Sequence, residues 1–323
     1  MDAGDYPRPE RYEQVIFTGC GSTYYLSRWA ARMCEELTGV ICRAAPSSDL
    51  FLHPNGWLGR DRKTLLVASS RSAATTETIR AIKLFTENNA GDVVVVTCNP
   101  DQPMGSQSKH VISATLAREL SVAQTRSFST MMLANAWLIE GGAPQNTEAR
   151  LRSCGERQLN QYKGRISELA TDKALQRFFF LGSGAQYGLA NEIMLKMKEM
   201  SLSYSESFHF MEFRHGPMAM VDSNSLVVGL LGDAGMDHEM AVLKDMKSKG
   251  ARTLAIADSV PSNSNGAVDD LIVMQSELSP LWRSVLYLPV LQWLACERAV
   301  SNGLDPDRPA NLDAVVVLDD SPI

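Results

Sequence analysis

The chain has 323 residues, a length that favours two domains, and its 45% hydrophobic and 21% charged residues are typical of a globular protein. The formal net charge of −6 argues against a nucleic-acid partner or an anionic membrane surface, and we expect neither. No apolar run reaches the ~20 residues of a membrane span, and the first residues lack the apolar stretch of a signal peptide. The six cysteines are scattered without a CxxC pair, which favours reduced thiols in a cytoplasmic protein over a zinc ribbon or a disulfide framework.

Predicted strands and helices alternate along the first half. The predicted strands lie at residues 15–18, 64–68, 93–98 and 111–113, and the predicted helices lie at 23–37, from about 75, and at 127–139. The run at 93–98 is apolar throughout, as expected for a strand covered on both faces. The alternation predicts a parallel sheet with right-handed crossovers, and hence an α/β architecture.

The second half repeats this pattern after a turn-forming segment at 141–145. Its predicted strands lie at residues 177–181, 226–231, 253–257 and 271–274. Aligning residues 17–37 with 180–200 gives six identities in twenty-one positions, at Phe17, Gly19, Gly21, Tyr24, Leu26 and Glu36 of the first copy. We therefore predict a duplicated α/β unit. The predicted division is an extension at 1–10, domains at 11–150 and 151–310, and a tail at 311–323.

Each half carries a G-x-G turn after its first strand, at residues 19–21 and 182–184. Glycines in such a turn leave the N–H groups of the following helix open to an anion. A dinucleotide site would need a third glycine, but Tyr24 and Tyr187 occupy that place. A tight turn without any ligand is the remaining alternative.

A second strand–helix junction favours phosphate. Residues 68–78 contain six hydroxyl side chains and one arginine. A well-capped helix is the plain alternative, but capping needs only one or two hydroxyls. Hydroxyls, backbone N–H groups and a guanidinium can all donate to phosphate oxygens, and we interpret the surplus as a phosphate site.

Three charged residues share one stripe of the predicted helix at 186–200. Glu192, Lys196 and Glu199 follow the spacing i, i+4, i+7. Taken alone, this spacing also suits an exposed salt-bridge ladder of little energetic weight. The helix starts at the second G-x-G turn, however, and open α/β sheets bind ligands at the carboxyl ends of their strands.

Titratable groups are dense downstream, at residues 205–217, where His215 precedes a Gly-Pro turn. A lone histidine is usually structural, but this chain has only five. No H-x-x-x-H spacing occurs, and we expect neither a metal nor another cofactor.

Five motifs together resemble the double-domain branch of the SIS (sugar isomerase) family, over residues 12–317. The motifs are CGST at 20–23, SSRSAATTET at 69–78, ELSVAQTRSF at 119–128, LKMKEMSLSYSESF at 195–208 and EFRHGP at 212–217. The resemblance implies two flavodoxin-like domains, each a three-layer sandwich around a five-stranded parallel sheet. It also implies that a sugar phosphate binds at Gly21, Ser22, Thr23, Ser70, Arg71, Ser72 and Thr75, with a backbone contact at Val122.

The catalytic residues implied by the resemblance come from the second half. Glu199 matches the carboxylate that moves a proton between C1 and C2, and Glu192 and Lys196 match residues lining the same pocket. His215 matches the histidine that opens the sugar ring from a neighbouring subunit. A homodimer with its active site at the subunit interface is therefore expected.

Two departures from the family limit the expected reaction. The chain begins MDAGDY without a glutamine-hydrolysing domain, and we expect that it cannot draw ammonia from glutamine by itself. Ala314 stands where the family's tail carries a lysine. The leading hypothesis is a phosphosugar isomerase or deaminase acting on a hexosamine 6-phosphate. A fructosamine-6-phosphate deglycase and a non-catalytic sugar-phosphate-binding protein remain as alternatives.

Overall fold

The computed structural model describes residues 6–58, 62–262, 264–316 and 318. The predicted extension at 1–10 and the predicted tail at 311–323 lie partly outside these residues. The chain divides into two compact units, one running to Pro144 and including the segment from Asp313, the other spanning Gln145–Leu312. Within the described ranges, no helix is both long enough and apolar enough to cross a membrane.

The first unit is built on a parallel sheet with the strand order β2-β1-β3-β4-β5. Its strands are β1 (Gln14–Gly19), β2 (Ile41–Pro46), β3 (Thr64–Ser70), β4 (Gly91–Thr97) and β5 (His110–Ser113). Its helices are α1 (Ser22–Thr38), α2 (Ser47–Leu52), α3 (Thr76–Glu87) and α4 (Arg126–Glu140). Because all five strands are parallel, their carboxyl ends meet at one edge of the sheet.

Helices cover both faces of this sheet. Ile16 and Leu66 pack against Ile82 and Phe85 of α3 in one buried cluster. Successive side chains of a strand point to opposite faces, so Phe17 of β1 points to the face away from α3. Each large apolar side chain buried in this way contributes roughly 1.5–3 kcal/mol. Burial on both faces stabilises the sheet that carries the turns at its carboxyl edge.

The second unit repeats the same topology, with the strand order β7-β6-β8-β9-β10. Its strands are β6 (Arg177–Gly182), β7 (Tyr204–Phe208), β8 (Ser225–Leu230), β9 (Arg252–Ala257) and β10 (Asp270–Val273). Its helices are α5 (Thr147–Thr171), α6 (Gln186–Ser201), α7 (Phe210–Phe213), α8 (Met236–Ser248), α9 (Pro280–Arg283) and α10 (Leu288–Ser301). The centrally placed β6 lies between β7 and β8, as β1 lies between β2 and β3.

The predicted fold class is confirmed, since each unit holds a five-stranded parallel sheet flanked by helices. The residue patterns alone gave four strands in each half and missed β2 and β7. Both are edge strands with polar or half-exposed residues, such as Arg43 in β2 and Glu206 in β7. An edge strand of this kind lacks the continuous apolar run by which the buried strands were recognised.

Candidate functional site

The two motifs predicted to hold phosphate follow neighbouring strands of the first unit. β1 ends at Gly19 and β3 ends at Ser70, and the two strands pair directly. A side chain at position 19 would come within 2.5 Å of the Thr23 hydroxyl oxygen. A side chain at Gly182, its counterpart in the second unit, would come equally close to the Gln186 carbonyl. Glycine is therefore required at both junctions for the helix to start so close to the strand.

Three of the predicted contact residues form a hydroxyl cluster after β3. The Thr75 hydroxyl lies 3.4 Å from the hydroxyls of both Ser70 and Ser72. Backbone N–H groups of Ala73 and Ala74 donate to the Ser70 and Ser72 oxygens, at 3.1 and 3.2 Å. The three hydroxyls carry three protons and the two contacts among them use two, so one proton is left to donate elsewhere. The loop thus concentrates hydroxyl donors just ahead of α3.

A buried polar chain ties the first turn to this loop. Ser47 lies 3.0 Å from the Thr18 hydroxyl and 3.1 Å from the Thr78 hydroxyl, and Thr78 lies 3.6 Å from the Cys20 sulfur. Burial raises the pKa of the Cys20 thiol, so the sulfur stays protonated near neutral pH. Thr23, another predicted contact, bonds to the backbone N–H and carbonyl of Cys20. Gly21 and Ser22 lie in the same short turn, at the start of α1.

Arg71 reaches from this loop to two other segments of the first unit. Its guanidinium donates to the Ser121 carbonyl at 2.8 Å, next to Val122, and to the Ala314 carbonyl at 3.3 Å. The side chain is almost fully buried and lies 3.9 Å from the Glu119 carboxylate. The structure thus brings Arg71 close to the backbone at Val122, as the predicted site requires. Glu119, which had no predicted role, lies at the same place.

The second unit contains the three charged residues of α6, here called the ion triad: Glu192, Lys196 and Glu199. The Lys196 ammonium lies 3.4 Å from the Glu192 carboxylate and also pairs with Glu199. The Glu192 and Lys196 side chains are fully buried, and Glu199 keeps 20% of its side-chain surface exposed. The exposed salt-bridge ladder considered above is therefore excluded. One carboxylate of the triad remains accessible to a ligand.

His215 follows α7 in the second unit and is exposed. Its backbone N–H donates to the Glu212 carbonyl at 3.0 Å. Across the described residues, no hydrogen bond or ion pair joins the His215 side chain to the ion triad. The structure therefore assembles three of the four predicted catalytic residues on one helix and leaves His215 separate from them.

In the part of the chain that the structure describes, no group of three or more His, Cys, Asp or Glu side chains is placed to hold a metal ion. The candidate site residues are instead the hydroxyls and Arg71 in the first unit, and the ion triad in the second.

This arrangement is that of a duplicated α/β fold with one five-stranded parallel sheet in each unit. The chain belongs to the SIS domain family, which it matches over residues 11–140 and 173–279. One relative is a glutamine–fructose-6-phosphate aminotransferase (isomerizing) of Methanothermobacter thermautotrophicus, 27% identical over 95% of this chain and 52% of its own length. The chain spans about half the length of the curated relatives it matches.

Solved structures share the fold. Tagatose-6-phosphate ketose/aldose isomerase from Escherichia coli has a TM-score of 0.82 and 23% identity, covering 93% of this chain and 86% of its own. Glucosamine-6-phosphate deaminase from Thermotoga maritima has a TM-score of 0.77 and 24% identity, covering 95% of this chain and 91% of its own.

Proposed function

We propose that this chain is a phosphosugar isomerase or deaminase that converts a hexosamine 6-phosphate into a ketose 6-phosphate and ammonia. The first unit would hold the phosphate through its hydroxyl cluster, and the ion triad of the second unit would move the proton. The names of two kinds of relative, an isomerizing aminotransferase and a glucosamine-6-phosphate deaminase, support the substrate class.

The burial of the ion triad is the observation that carries the proposal. Removing Glu192 and Lys196 from water costs free energy, and an apolar pair of similar size in their place is often neutral or stabilising. The aligned positions in α1 are Trp29 and Met33, both buried. Since the same helix position can be filled by apolar residues, the buried charges of α6 point to a chemical role.

Glu199 is suited to the proton transfer. In an open-chain 2-amino aldose, the carboxylate takes the proton from C2 while O1 gains one, which gives an enolamine. The carboxylic acid then returns its proton to C1 as the amine loses one, leaving an imine at C2. Water adds to this imine and ammonia leaves, so that C2 becomes the ketone. Lys196 would orient the Glu199 carboxylate throughout.

We also propose that the chain acts as a homodimer in which His215 of one subunit opens the sugar ring bound by the other. A histidine side chain can give and accept protons near neutral pH, as ring opening requires. The exposure of His215 on its own unit supports a role towards a neighbouring subunit.

Ammonia and ketose release from glucosamine and galactosamine 6-phosphates tests the proposal directly. Glu199→Gln should lower kcat at least about 100-fold, the usual scale for losing a general base. Glu36→Gln is the matched control, because Glu36 is the aligned carboxylate of α1 and is exposed beside Arg32. Full activity in Glu199→Gln would refute the assigned base.

A sugar-phosphate-binding protein without turnover is the second candidate, because Ala314 stands at the family's lysine position. Its main-chain carbonyl accepts a bond from Arg71, but its methyl side chain offers no amine for an open-chain sugar. Tight binding of fructose 6-phosphate together with no turnover of either amino sugar would favour this candidate.

A further inference from the structure

Glu119 is a buried carboxylate beside Arg71, and no role is predicted for it from the sequence. Its oxygens accept the backbone N–H groups of Thr125, Arg126 and Ser127, at 3.1, 3.1 and 3.2 Å. The hydroxyls of Thr125 and Ser127 donate to it as well. These N–H groups open α4 and have no partner within the helix, so Glu119 acts as an internal anion at this helix start.

The same carboxylate lies beside Arg71. Their charged groups are 3.9 Å apart, and both side chains are over nine-tenths buried. Arg71 in turn donates to the Ser121 carbonyl. The Glu119 side chain therefore joins the two ends of the segment 119–127, and Arg71 bonds to the backbone between them at Ser121.

We propose that Glu119 is a positioning residue for the sugar-phosphate site. It fixes the guanidinium of Arg71 and the backbone at Val122, and does not itself contact the substrate. The proposal rests on the proposed function, since it assigns Glu119 to the site that would hold the sugar phosphate. It also implies that the phosphate is bound by the starts of α1 and α3, because the start of α4 is already occupied by Glu119.

Glu119→Gln tests the inference, since it keeps the shape of the side chain but removes its charge and one acceptor oxygen. We expect the Kd for fructose 6-phosphate, and the KM for any amino sugar phosphate that is turned over, to rise about tenfold, the scale of a lost charge-assisted contact. The kcat should stay within about threefold. A merely structural role would lower the active fraction and leave Kd and KM unchanged.

Two further variants keep the test decisive. Arg71→Gln combined with Glu119→Gln should raise Kd no more than the worse single change, because both act through one contact. If Glu119→Gln does not fold, Ser127→Ala removes one donor to the same carboxylate and should raise Kd about threefold. Glu87→Gln, an exposed carboxylate of α3, is the control.

The outcomes separate this inference from the proposed function. Failure of the unsubstituted chain to bind any sugar phosphate would overturn the proposed function. Normal binding by the unsubstituted chain and an unchanged Kd in Glu119→Gln, or in Ser127→Ala where that variant is used, would overturn the role of Glu119 alone.

Discussion

Helices α1 and α6 occupy the same place in the two units, yet only α6 buries charge. Trp29 and Met33 fill the positions of α1 that align with Glu192 and Lys196 of α6. The third position is a carboxylate in both, but Glu36 pairs with Arg32 at the surface whereas Glu199 pairs with the buried Lys196. One helix of the duplicated pair therefore serves packing, and the other carries the charged groups to which we assign the proton transfer.

The loops after β3 and β8 also differ: the first is rich in hydroxyl donors, and the second lies next to a buried carboxylate. Thr18 of β1 pairs with Ala68, and the aligned Leu181 of β6 pairs with Gly229. Ala68 and Gly229 are therefore equivalent positions. Thr78 and Glu239 each lie ten residues after them, so Thr78 of the first unit corresponds to Glu239 of the second. Glu239 is buried, and its carboxylate accepts the Gly232 N–H at 2.8 Å. Gly232 lies in the turn of the second unit that corresponds to the hydroxyl cluster of the first.

Under the proposed function, this exchange assigns phosphate binding to the first unit and proton transfer to the second. The hydroxyl loop of the first unit can donate to an anion. In the second unit an internal carboxylate occupies the corresponding turn, and Asp233 and Asp237 line a cavity of about 400 Å³ next to it. Carboxylates repel phosphate, so we expect one phosphate site per chain, in the first unit.

The largest expected effect on stability comes from giving α6 the apolar residue of α1 at only one of its two buried charged positions. Lys196→Met should lower the free energy of unfolding by about 3–5 kcal/mol, because it leaves the buried Glu192 carboxylate without its positive partner. Denaturant unfolding followed by circular dichroism measures the change. Lys83→Met, at an exposed position of α3, should shift stability by less than about 0.5 kcal/mol.

The double variant Glu192→Leu/Lys196→Met sharpens the same comparison. It matches the apolar pattern of α1 and should recover most of the lost stability, since no unpaired charge stays buried. Turnover should be lost in both variants, because Glu199 no longer has Lys196 beside it. A double variant as unstable as Lys196→Met would show that α6 needs the ion pair for folding.

Much of the fold was predictable from the sequence, because eight of the ten strands contain an apolar run and the spacing of these runs in the first half recurs in the second. The missed strands, β2 and β7, are recognisable only from their place at a sheet edge. The segment at β7, YSESF, alternates serines with Tyr204, Glu206 and Phe208, and pairing with β6 is what makes it a strand.

The candidate site was less predictable, because burial depends on partners distant in sequence. The spacing of Glu192, Lys196 and Glu199 placed them on one stripe, but a surface ladder has the same spacing. Packing of α10 and β7 against α6 distinguishes a buried ion triad from a surface ladder. Glu119 lies within a recognised motif, yet its link to Arg71, far along the chain, exists only in the folded unit.

An intermediate effect is expected for the hydroxyl cluster. Thr75→Val removes the hydroxyl between Ser70 and Ser72 and should weaken fructose 6-phosphate binding about tenfold, the scale of a hydrogen bond to a charged group. Isothermal calorimetry should give one ligand per chain. Ser262→Ala changes a hydroxyl in the cavity of the second unit and should leave the Kd unaltered. A second ligand per chain would contradict the division between the units.

The smallest effect is expected for Glu239→Gln, and it depends on pH. Burial raises the pKa of Glu239, against the opposing bonds from Gly232 and Ser183. A carboxyl whose pKa is raised in the folded state stabilises the fold below its unfolded pKa, and this contribution is lost as the pH rises through the folded value. Glutamine cannot ionise, so the variant should gain stability relative to the unsubstituted chain as the pH is raised from 4 to 7. The gain should lie within about 1 kcal/mol, the scale of one net hydrogen bond. Thermal unfolding across this range measures it, with the exposed Glu148→Gln as control. Parallel stability curves for Glu239→Gln and the unsubstituted chain would mean that the buried carboxylate is as well solvated by its two donors as by water. The turn at Gly232 in the second unit would then be no less suited to an anion than the hydroxyl cluster of the first unit.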